Sequence, residues 1–219
     1  MSDLLTYPGV QEFLTTLVPP RPEEMVIMER YAQEHDFPII GPAAGYMCYQ
    51  VARLIGARSI FELGSGYGYS TAWFARAVQE NTAADGRSGG KVHHVVWDEK
   101  LSAMAKDHLA RLGFDGLIEY HVAEAVETLK GMPGKLDLIF NDINKEGYPA
   151  SLPVIKEKLR PGGVLLTDNI LWSGRIFDAK DTSASTQGVR DFTRLITEDP
   201  DWIVSVLPVR DGVMLALKK

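Results

Sequence analysis

The sequence predicts an α/β protein with one mostly parallel β-sheet and helices on both faces. Three observations support this fold class. Strand-like apolar runs alternate with helix-like segments, a glycine-rich turn follows the first such strand, and two strand-like runs joined at Asp211-Gly212 close the chain. Repeated strand–helix units favour parallel strands that are covered on both faces. Asp-Gly between alternating apolar residues is typical of an antiparallel hairpin.

Three helical segments are predicted before the first strand, at residues 8–18, 22–34 and 42–55. The first and third have apolar residues at helical spacing. The second opens with Pro22 and two glutamates, which are favourable at a helix start. We expect a single domain over residues 1–219, in which residues 1–36 form an N-terminal helical segment and residues 37–219 the core.

Five strand–helix units and a hairpin follow. The strands are predicted at residues 59–63, 91–97, 117–122, 136–140 and 163–167, and the helices at residues 69–79, 100–112, 124–130, 150–159 and 186–197. The hairpin is predicted at residues 202–219. The polar, glycine-rich residues 81–90 are expected to form an exposed loop.

Composition excludes several classes of protein. The chain has 219 residues, of which 45% are hydrophobic and 24% charged, as in ordinary globular proteins. Its net charge of −6 argues against a nucleic-acid-binding surface. No apolar stretch approaches the roughly 18 residues of a membrane span, and the start does not resemble a signal peptide. Cys48 is the only cysteine, so no disulfide can form within the chain, and we expect a cytoplasmic protein.

The glycine-rich turn "FELGSGYGYST" opens the helix after the first strand. Gly64, Ser65 and Gly66 therefore lie where the backbone can approach a ligand closely and where unpaired helix N–H groups can bind an anion. In open α/β sheets such a turn lies at the ligand crevice. A tight connection without a ligand is the alternative interpretation.

Two cofactor classes compete for this turn. Dinucleotide oxidoreductases usually have Gly-x-Gly-x-x-Gly, and the third glycine here, Gly68, comes too early. Glu62 before the turn and the hydroxyls of Ser70 and Thr71 after it suit a zwitterion, because a carboxylate pairs with an amino group while hydroxyls and N–H groups hold a carboxylate. S-adenosylmethionine has both groups and is the favoured cofactor.

Polar side chains also follow the fourth and fifth strands. Asp142 and Lys145 come just after the fourth strand, and Asp168 and Asn169 just after the fifth. Because neighbouring parallel strands end at one edge of the sheet, these groups should converge. Two carboxylates and one amide are hard oxygen ligands that suit Mg²⁺, with Ca²⁺ and Mn²⁺ as alternatives. Simple capping of loops and helices by these residues is the competing interpretation.

Three stretches, "FELGSGYGYSTAWFA", "DLIFNDINKEGY" and "LRPGGVLLTDNILWSG", resemble the cation-dependent O-methyltransferases of the caffeoyl-CoA and catechol type. The likeness extends from about Phe37 to the end of the chain. The Asp-x-x-Lys and Asp-Asn elements are more specific than the glycine turn. The resemblance implies a Rossmann-like methyltransferase fold with a seven-stranded sheet whose last strand is antiparallel.

The resemblance implies an S-adenosylmethionine- and divalent-metal-dependent O-methyltransferase that acts on a catechol or hydroxycinnamoyl-type phenolic acceptor. It places the metal at Asp142, Asp168 and Asn169, a general base at Lys145, and the methionine end of the cofactor around Glu62, Gly64 and Ser70. Asp142 is expected to belong to the catalytic, metal-binding and cofactor-binding residues alike. It also implies a homodimer, because related enzymes use N-terminal segments at an interface. A catalytically weak or silent S-adenosylmethionine-binding protein is the alternative.

Two positions depart from the family pattern. Val96 stands where the family usually has an acid that holds the ribose hydroxyls, and Asp98, two residues later, is predicted to replace it. Ala123 and Glu124 stand in place of the usual Gly-Asp, and we expect them to lie near the adenine.

Overall fold

The computed structural model describes residues 9–86 and 89–219, apart from the side chain of Asp85. It contains a seven-stranded sheet in the order β3-β2-β1-β4-β5-β7-β6. The strands are β1 Ser59–Leu63, β2 Lys91–Val96, β3 Ile118–Val122, β4 Leu136–Asn141, β5 Leu159–Thr167, β6 Trp202–Leu207 and β7 Val213–Lys218. The first five are parallel, and β7 pairs antiparallel with both β5 and β6. The predicted fold is confirmed.

Helices cover both faces of the sheet. They are α1 Val10–Thr16, α2 Glu23–Glu34, α3 Gly41–Leu54, α4 Tyr69–Asp85, α5 Glu99–Arg111, α6 Ala125–Gly131, α7 Tyr148–Lys158 and α8 Ala184–Glu198. Short 3₁₀ turns span Asp115–Leu117, Lys145–Gly147 and Trp172–Phe177. Among the described residues, none of the helices has the length and apolarity that a membrane span requires.

Each face of the sheet has its own apolar core. One core packs α2, α3, α4 and α5 against the sheet around Met28, Cys48 and Trp73. The other packs α6, α7 and α8 around Tyr148 and Phe192. Burial on both faces explains why the central strands are continuous apolar runs.

The end of helix α4 differs from prediction. Helix α4 continues to Asp85, so residues 81–85 are helical and not part of a loop. Asn81 is buried in that last turn, and its Nδ2 donates to the carbonyl oxygens of Ala52 and Ala57. These two tertiary hydrogen bonds favour a helix at residues 81–85, where the polar sequence predicts a loop. Residues 87 and 88 of the expected loop, and residues 1–8, lie outside the described part.

The strand order places the ligand crevice. The chain adds β2 and β3 on one side of β1, and then β4 and β5 on the other side. The helices that connect the first set of strands therefore lie on the opposite face from those that connect the second set. A crevice forms at such a switch point, beyond the carboxyl ends of the strands. The antiparallel hairpin adds its turn to the same edge, because Met214 near the start of β7 pairs with Thr167 at the end of β5.

Candidate active site

Three cavities lie along the carboxyl edge of the sheet, and Asp142 lines all of them. One of about 540 Å³ lies beyond β4 and β5 and includes Asp168 and Asn169. A second, of about 30 Å³, is bounded by the glycine turn. The third, of about 490 Å³, extends beyond β2 and includes Val96. We call them the acceptor-side, turn and adenosyl-side cavities.

The glycine turn makes a close backbone contact with the residue after β4. Gly64 has φ +87°, and a Cβ at this position would lie 2.5 Å from the carbonyl oxygen of Asp142. The backbone N–H of Asp142 donates to the carbonyl oxygen of Leu63 at 2.8 Å. Glycine is therefore required here for both its conformation and its lack of a side chain.

Glu62 is fully buried beneath this turn. Its Oε2 accepts from the hydroxyl of Thr71, which also lies 3.1 Å from Nδ1 of His94, while its Oε1 has no hydrogen-bond partner. Burial raises the pKa of Glu62 to about 7. A buried carboxylate with one unpaired oxygen is a ready partner for a cationic ligand group.

The other predicted turn residues have different surroundings. Ser65, Gly66 and Ser70 all line the turn cavity. The hydroxyl of Ser65 accepts from the backbone N–H of Val95 at 2.8 Å, so its side chain ties the turn to β2. Gly66 has φ +52° and lies close to the ring of Phe37.

Asp142 and Lys145 form an ion pair in the acceptor-side cavity. The Lys145 Nζ donates to Oδ1 of Asp142 at 2.7 Å, and the Lys145 side chain is only 10% exposed. Its ammonium lies 5.2 Å from the ring centroid of Tyr148 and 5.8 Å from that of Trp172. Burial raises the pKa of Asp142, although the Lys145 charge opposes this.

Asp168 and Asn169 follow β5 and line the same cavity. The Asp168 side chain is 1% exposed and its Oδ1 lacks a partner. Burial and the nearby Asp142 raise the pKa of Asp168 to about 7. Asn169 has φ +57°, and its Nδ2 donates to Oδ2 of Asp211 at 3.2 Å. The structure thus brings all three predicted metal ligands to one cavity.

Arg210 is a cavity residue that the sequence reasoning missed. Its Nη1 lies 3.6 Å from Oδ2 of Asp168, and its side chain is 38% exposed. It belongs to the turn between β6 and β7, next to Asp211. The predicted topology could have indicated its position, because a hairpin beside β5 must turn at the same edge of the sheet as Asp168.

The adenosyl-side cavity has a different character. It is lined by Val96, Trp97, Ala123 and Glu124, among others, and Trp97 is 70% exposed. The Glu124 carboxylate caps α6 by accepting from the backbone N–H of Glu127.

Asp98 is not among the residues that line this cavity. Its Oδ1 caps α5, accepting from the N–H groups of Lys100 at 2.7 Å and Leu101 at 3.1 Å. The contact between Asp98 and a ribose stays a prediction.

Comparisons with known proteins agree with this geometry. Residues 27–219 match the sequence model of a family described as O-methyltransferase. A catechol O-methyltransferase of Niastella koreensis is 29% identical over 189 residues, which is 82% of each chain. Caffeoyl-CoA O-methyltransferase 2 of Populus trichocarpa is 26% identical, with 92% of this chain and 84% of the relative covered.

Crystal structures of O-methyltransferases also superpose closely. TomG from Streptomyces achromogenes, which is involved in tomaymycin synthesis and was crystallised with S-adenosylmethionine, is 27% identical, with a TM-score of 0.85 and 100% of both chains covered. An O-methyltransferase from Bacillus cereus in complex with S-adenosylhomocysteine is 25% identical, with a TM-score of 0.84 over 96% of this chain and 97% of the other.

Proposed function

The chain belongs to the O-methyltransferase family and is an S-adenosylmethionine-dependent enzyme of the catechol and caffeoyl-CoA type, and we propose that it methylates a phenolic hydroxyl with the help of a divalent cation. The acceptor class is a catechol or hydroxycinnamoyl-type small molecule. The cation is Mg²⁺, or Ca²⁺ or Mn²⁺ in its place, at Asp142, Asp168 and Asn169.

One observation supports this proposal above the others. Asp142 lines the turn cavity, the adenosyl-side cavity and the acceptor-side cavity. A group held at the glycine turn therefore adjoins a group held beside Asp168. Holding two reactants close and aligned accounts for much of the rate of a transfer reaction.

The residues at the turn fit the methionine end of the cofactor. The unpaired Oε1 of Glu62 is a suitable acceptor for its amino group, and Ser70 lies at the start of α4, where hydroxyl and N–H donors can hold its carboxylate. The cofactor supplies an electrophilic methyl group on a sulfonium. Gly64 keeps the backbone close enough for this end to lie beside Asp142.

The donor set beyond β4 and β5 fits a hard divalent cation. It consists of two carboxylates and an amide oxygen, and the buried Oδ1 of Asp168 has no protein partner. A cation held by these residues would lower the pKa of an acceptor hydroxyl. The charge of the cation would also offset the cost of keeping both carboxylates ionised in this buried place.

Lys145 is the proposed general base. Its Nζ lies in the acceptor-side cavity, hydrogen-bonded to Asp142 and close to the ring faces of Tyr148 and Trp172. In the neutral form its nitrogen can accept the proton of the acceptor hydroxyl at that position.

The experiment pairs calorimetry with a turnover assay. S-adenosylhomocysteine titrations report cofactor binding, and assays on catechol, caffeate and the CoA thioester of caffeate with Mg²⁺ or with EDTA report methylation. We expect micromolar binding and Mg²⁺-dependent turnover on at least one acceptor. Turnover that is unchanged in EDTA would contradict the metal proposal, and binding without turnover on the whole panel would favour a silent binding protein.

We also propose that the enzyme is a homodimer. Helix α1 buries none of its residues, and Phe13 and Leu17 are each 61% exposed. Exposed apolar side chains of this size suit an interface between copies of the chain. Sedimentation velocity at micromolar concentration should give a dimer, whereas a monomer would contradict the proposal.

A further inference from the structure

We propose that His93, Glu119 and His121 form a second metal site, selective for a transition-metal ion such as Zn²⁺ and separate from the carboxylate cluster beyond β4 and β5. His93 belongs to β2, and Glu119 and His121 belong to the edge strand β3. In the parallel register His93 pairs with Glu119 and Val95 with His121. Since side chains alternate between faces, all three project from the same face.

The distances within the cluster fit a shared ion. Nδ1 of His93 lies 3.3 Å from Oε2 of Glu119 and 3.3 Å from Nε2 of His121, and the three ligand atoms lie within 4.8 Å of one another. With zinc–nitrogen and zinc–oxygen bonds of roughly 2.0–2.2 Å, tetrahedral ligands are about 3.3–3.5 Å apart. Two of the three separations therefore match the edges of a tetrahedral site.

Hydrogen bonding alone leaves this arrangement incompletely satisfied. In a neutral imidazole each ring nitrogen either donates or accepts. Nδ1 of His93 faces a carboxylate oxygen and a second imidazole nitrogen, both at 3.3 Å, beyond the usual hydrogen-bond range of roughly 2.7–3.2 Å. At most one of these contacts can be a well-formed hydrogen bond, whereas a cation attracts all three ligands.

The donor types select the metal. Two imidazoles and one carboxylate suit Zn²⁺, Co²⁺ or Ni²⁺ better than Mg²⁺, which prefers oxygen. His93 is buried, with its ring stacked 5.8 Å from that of Phe61, so one ligand is fixed in orientation. The Glu119 side chain is 47% exposed, which gives an ion and a completing water access from solvent.

The site lies on the strands that lead to the adenosyl-side cavity. Val96 and Ala123 line that cavity. His93 is three residues before Val96, and His121 is two residues before Ala123. A bound ion would tie the edge strand β3 to β2. We therefore expect Zn²⁺ to stabilise the fold, raising Tm by about 5–10 °C at a hundred times its dissociation constant.

The test uses Co²⁺ as a spectroscopic probe of the full chain after chelation and removal of bound metals. Tetrahedral Co²⁺ with nitrogen and oxygen ligands gives an intense visible band, which octahedral Co²⁺ on oxygen ligands lacks. We expect one equivalent of this band, displaced by Zn²⁺. His121→Asn and Glu119→Gln should weaken the binding at least about tenfold. Both substitutions are outside the core, so we expect both variants to fold. Circular dichroism checks this.

Two controls isolate the site. His35→Ala removes an exposed histidine outside the cluster and should leave the band unchanged. Asp168→Asn removes a carboxylate charge from the proposed Mg²⁺ site and should also leave the band unchanged, so the two metal proposals can fail independently. Absence of the band, its persistence in both His121→Asn and Glu119→Gln, or its loss in Asp168→Asn would overturn the assignment.

Discussion

The acceptor-side and adenosyl-side cavities are nearly equal in volume, at about 540 and 490 Å³, yet the carboxylates near them have different kinds of partner. On the acceptor side, Asp142 and Asp168 face the cations of Lys145 and Arg210, and one carboxylate oxygen has no partner. By contrast, the carboxylate of Glu124, which lines the adenosyl side, caps α6, and the carboxylate of Asp98, which does not line this cavity, caps α5.

This difference indicates which carboxylates can bind a cationic ligand group. A carboxylate that accepts backbone N–H groups at a helix start is already satisfied, and it stabilises that helix. A buried carboxylate without a full set of partners raises the free energy of the unliganded protein, and a cation relieves that cost. Substitutions on the acceptor side should therefore affect chemistry, whereas those on the adenosyl side should affect cofactor affinity or stability slightly.

The largest expected effect follows loss of the buried acceptor-side carboxylate. Asp168→Asn should lower kcat/KM by roughly 10²- to 10³-fold, the usual effect of removing one preorganised electrostatic group. Affinity for S-adenosylhomocysteine should change less than about twofold, because the proposed contacts of the methionine end are at Glu62 and Gly64. Steady-state assays and calorimetry on the same preparation measure both.

Asp137→Asn is the matched control for that variant. Asp137 lies near the start of β4, the neighbour of the strand that leads to Asp168, but its carboxylate accepts from Arg58 N, Ser59 N and the guanidinium of Arg160. This substitution should lower Tm without lowering turnover per folded molecule. Equal loss of turnover in both variants would mean that Asp168 acts only through stability.

The second effect concerns the pH dependence of cofactor binding. Glu62, whose pKa burial raises to about 7, must be ionised to pair with the cofactor's amino group. Affinity for S-adenosylhomocysteine should therefore fall as pH decreases below about 7, by up to tenfold per unit. Glu62→Gln should bind about ten- to a hundredfold more weakly at pH 8 and lose this dependence. A wild-type affinity that is constant from pH 6 to pH 8 would contradict the role of Glu62.

A smaller effect is expected at Arg210, which tests the charge balance of the acceptor side. Its guanidinium faces Asp168 at 3.6 Å and repels a cation bound there. Arg210→Ala should strengthen Mn²⁺ binding, measured by electron paramagnetic resonance, by up to about fivefold, since a partly exposed ion pair contributes little. Arg210→Lys keeps the charge and should leave the affinity near that of the wild type. Weaker Mn²⁺ binding by Arg210→Ala would contradict this electrostatic interpretation.

Much of the fold and part of the site could be predicted from sequence. Apolar runs and the Asp211-Gly212 turn determine the strands and the hairpin locally, and parallel pairing places the ends of β4 and β5 together. That topological rule is why Asp142 and Asp168 could be assigned to one cavity before any distance was known. The close approach of Gly64 to Asp142 follows from the same rule.

Other features depend on tertiary contacts that no local pattern contains. Arg210 reaches Asp168 across 42 positions of sequence, through the pairing of β7 with β5. His93 and His121 meet only because β2 and β3 pair in one particular register, and a shift of one residue would place them on opposite faces. The buried amide of Asn81 extends α4 through residues 81–85, which come before the glycines of the predicted loop.

The smallest expected effect is at Asp98, where the comparison between the two cavities is sharpest. Asn is as good an N-cap as Asp, so Asp98→Asn should keep α5 intact while removing the charge. If the helix cap is the main role of Asp98, affinity for S-adenosylhomocysteine changes less than about threefold, and this is the outcome we expect from its contacts with Lys100 and Leu101. If its second oxygen also holds the ribose, as the sequence predicts, the loss should reach about five- to tenfold, because hydrogen bonds to charged groups are stronger by roughly 1 kcal/mol or more.

Asp98→Ala separates the roles further, since loss of the cap alone lowers the free energy of unfolding by about 1 kcal/mol and leaves binding by the folded fraction unchanged. A fivefold loss of affinity in Asp98→Asn with unchanged Tm would show that the adenosyl side, too, binds its ligand by charge.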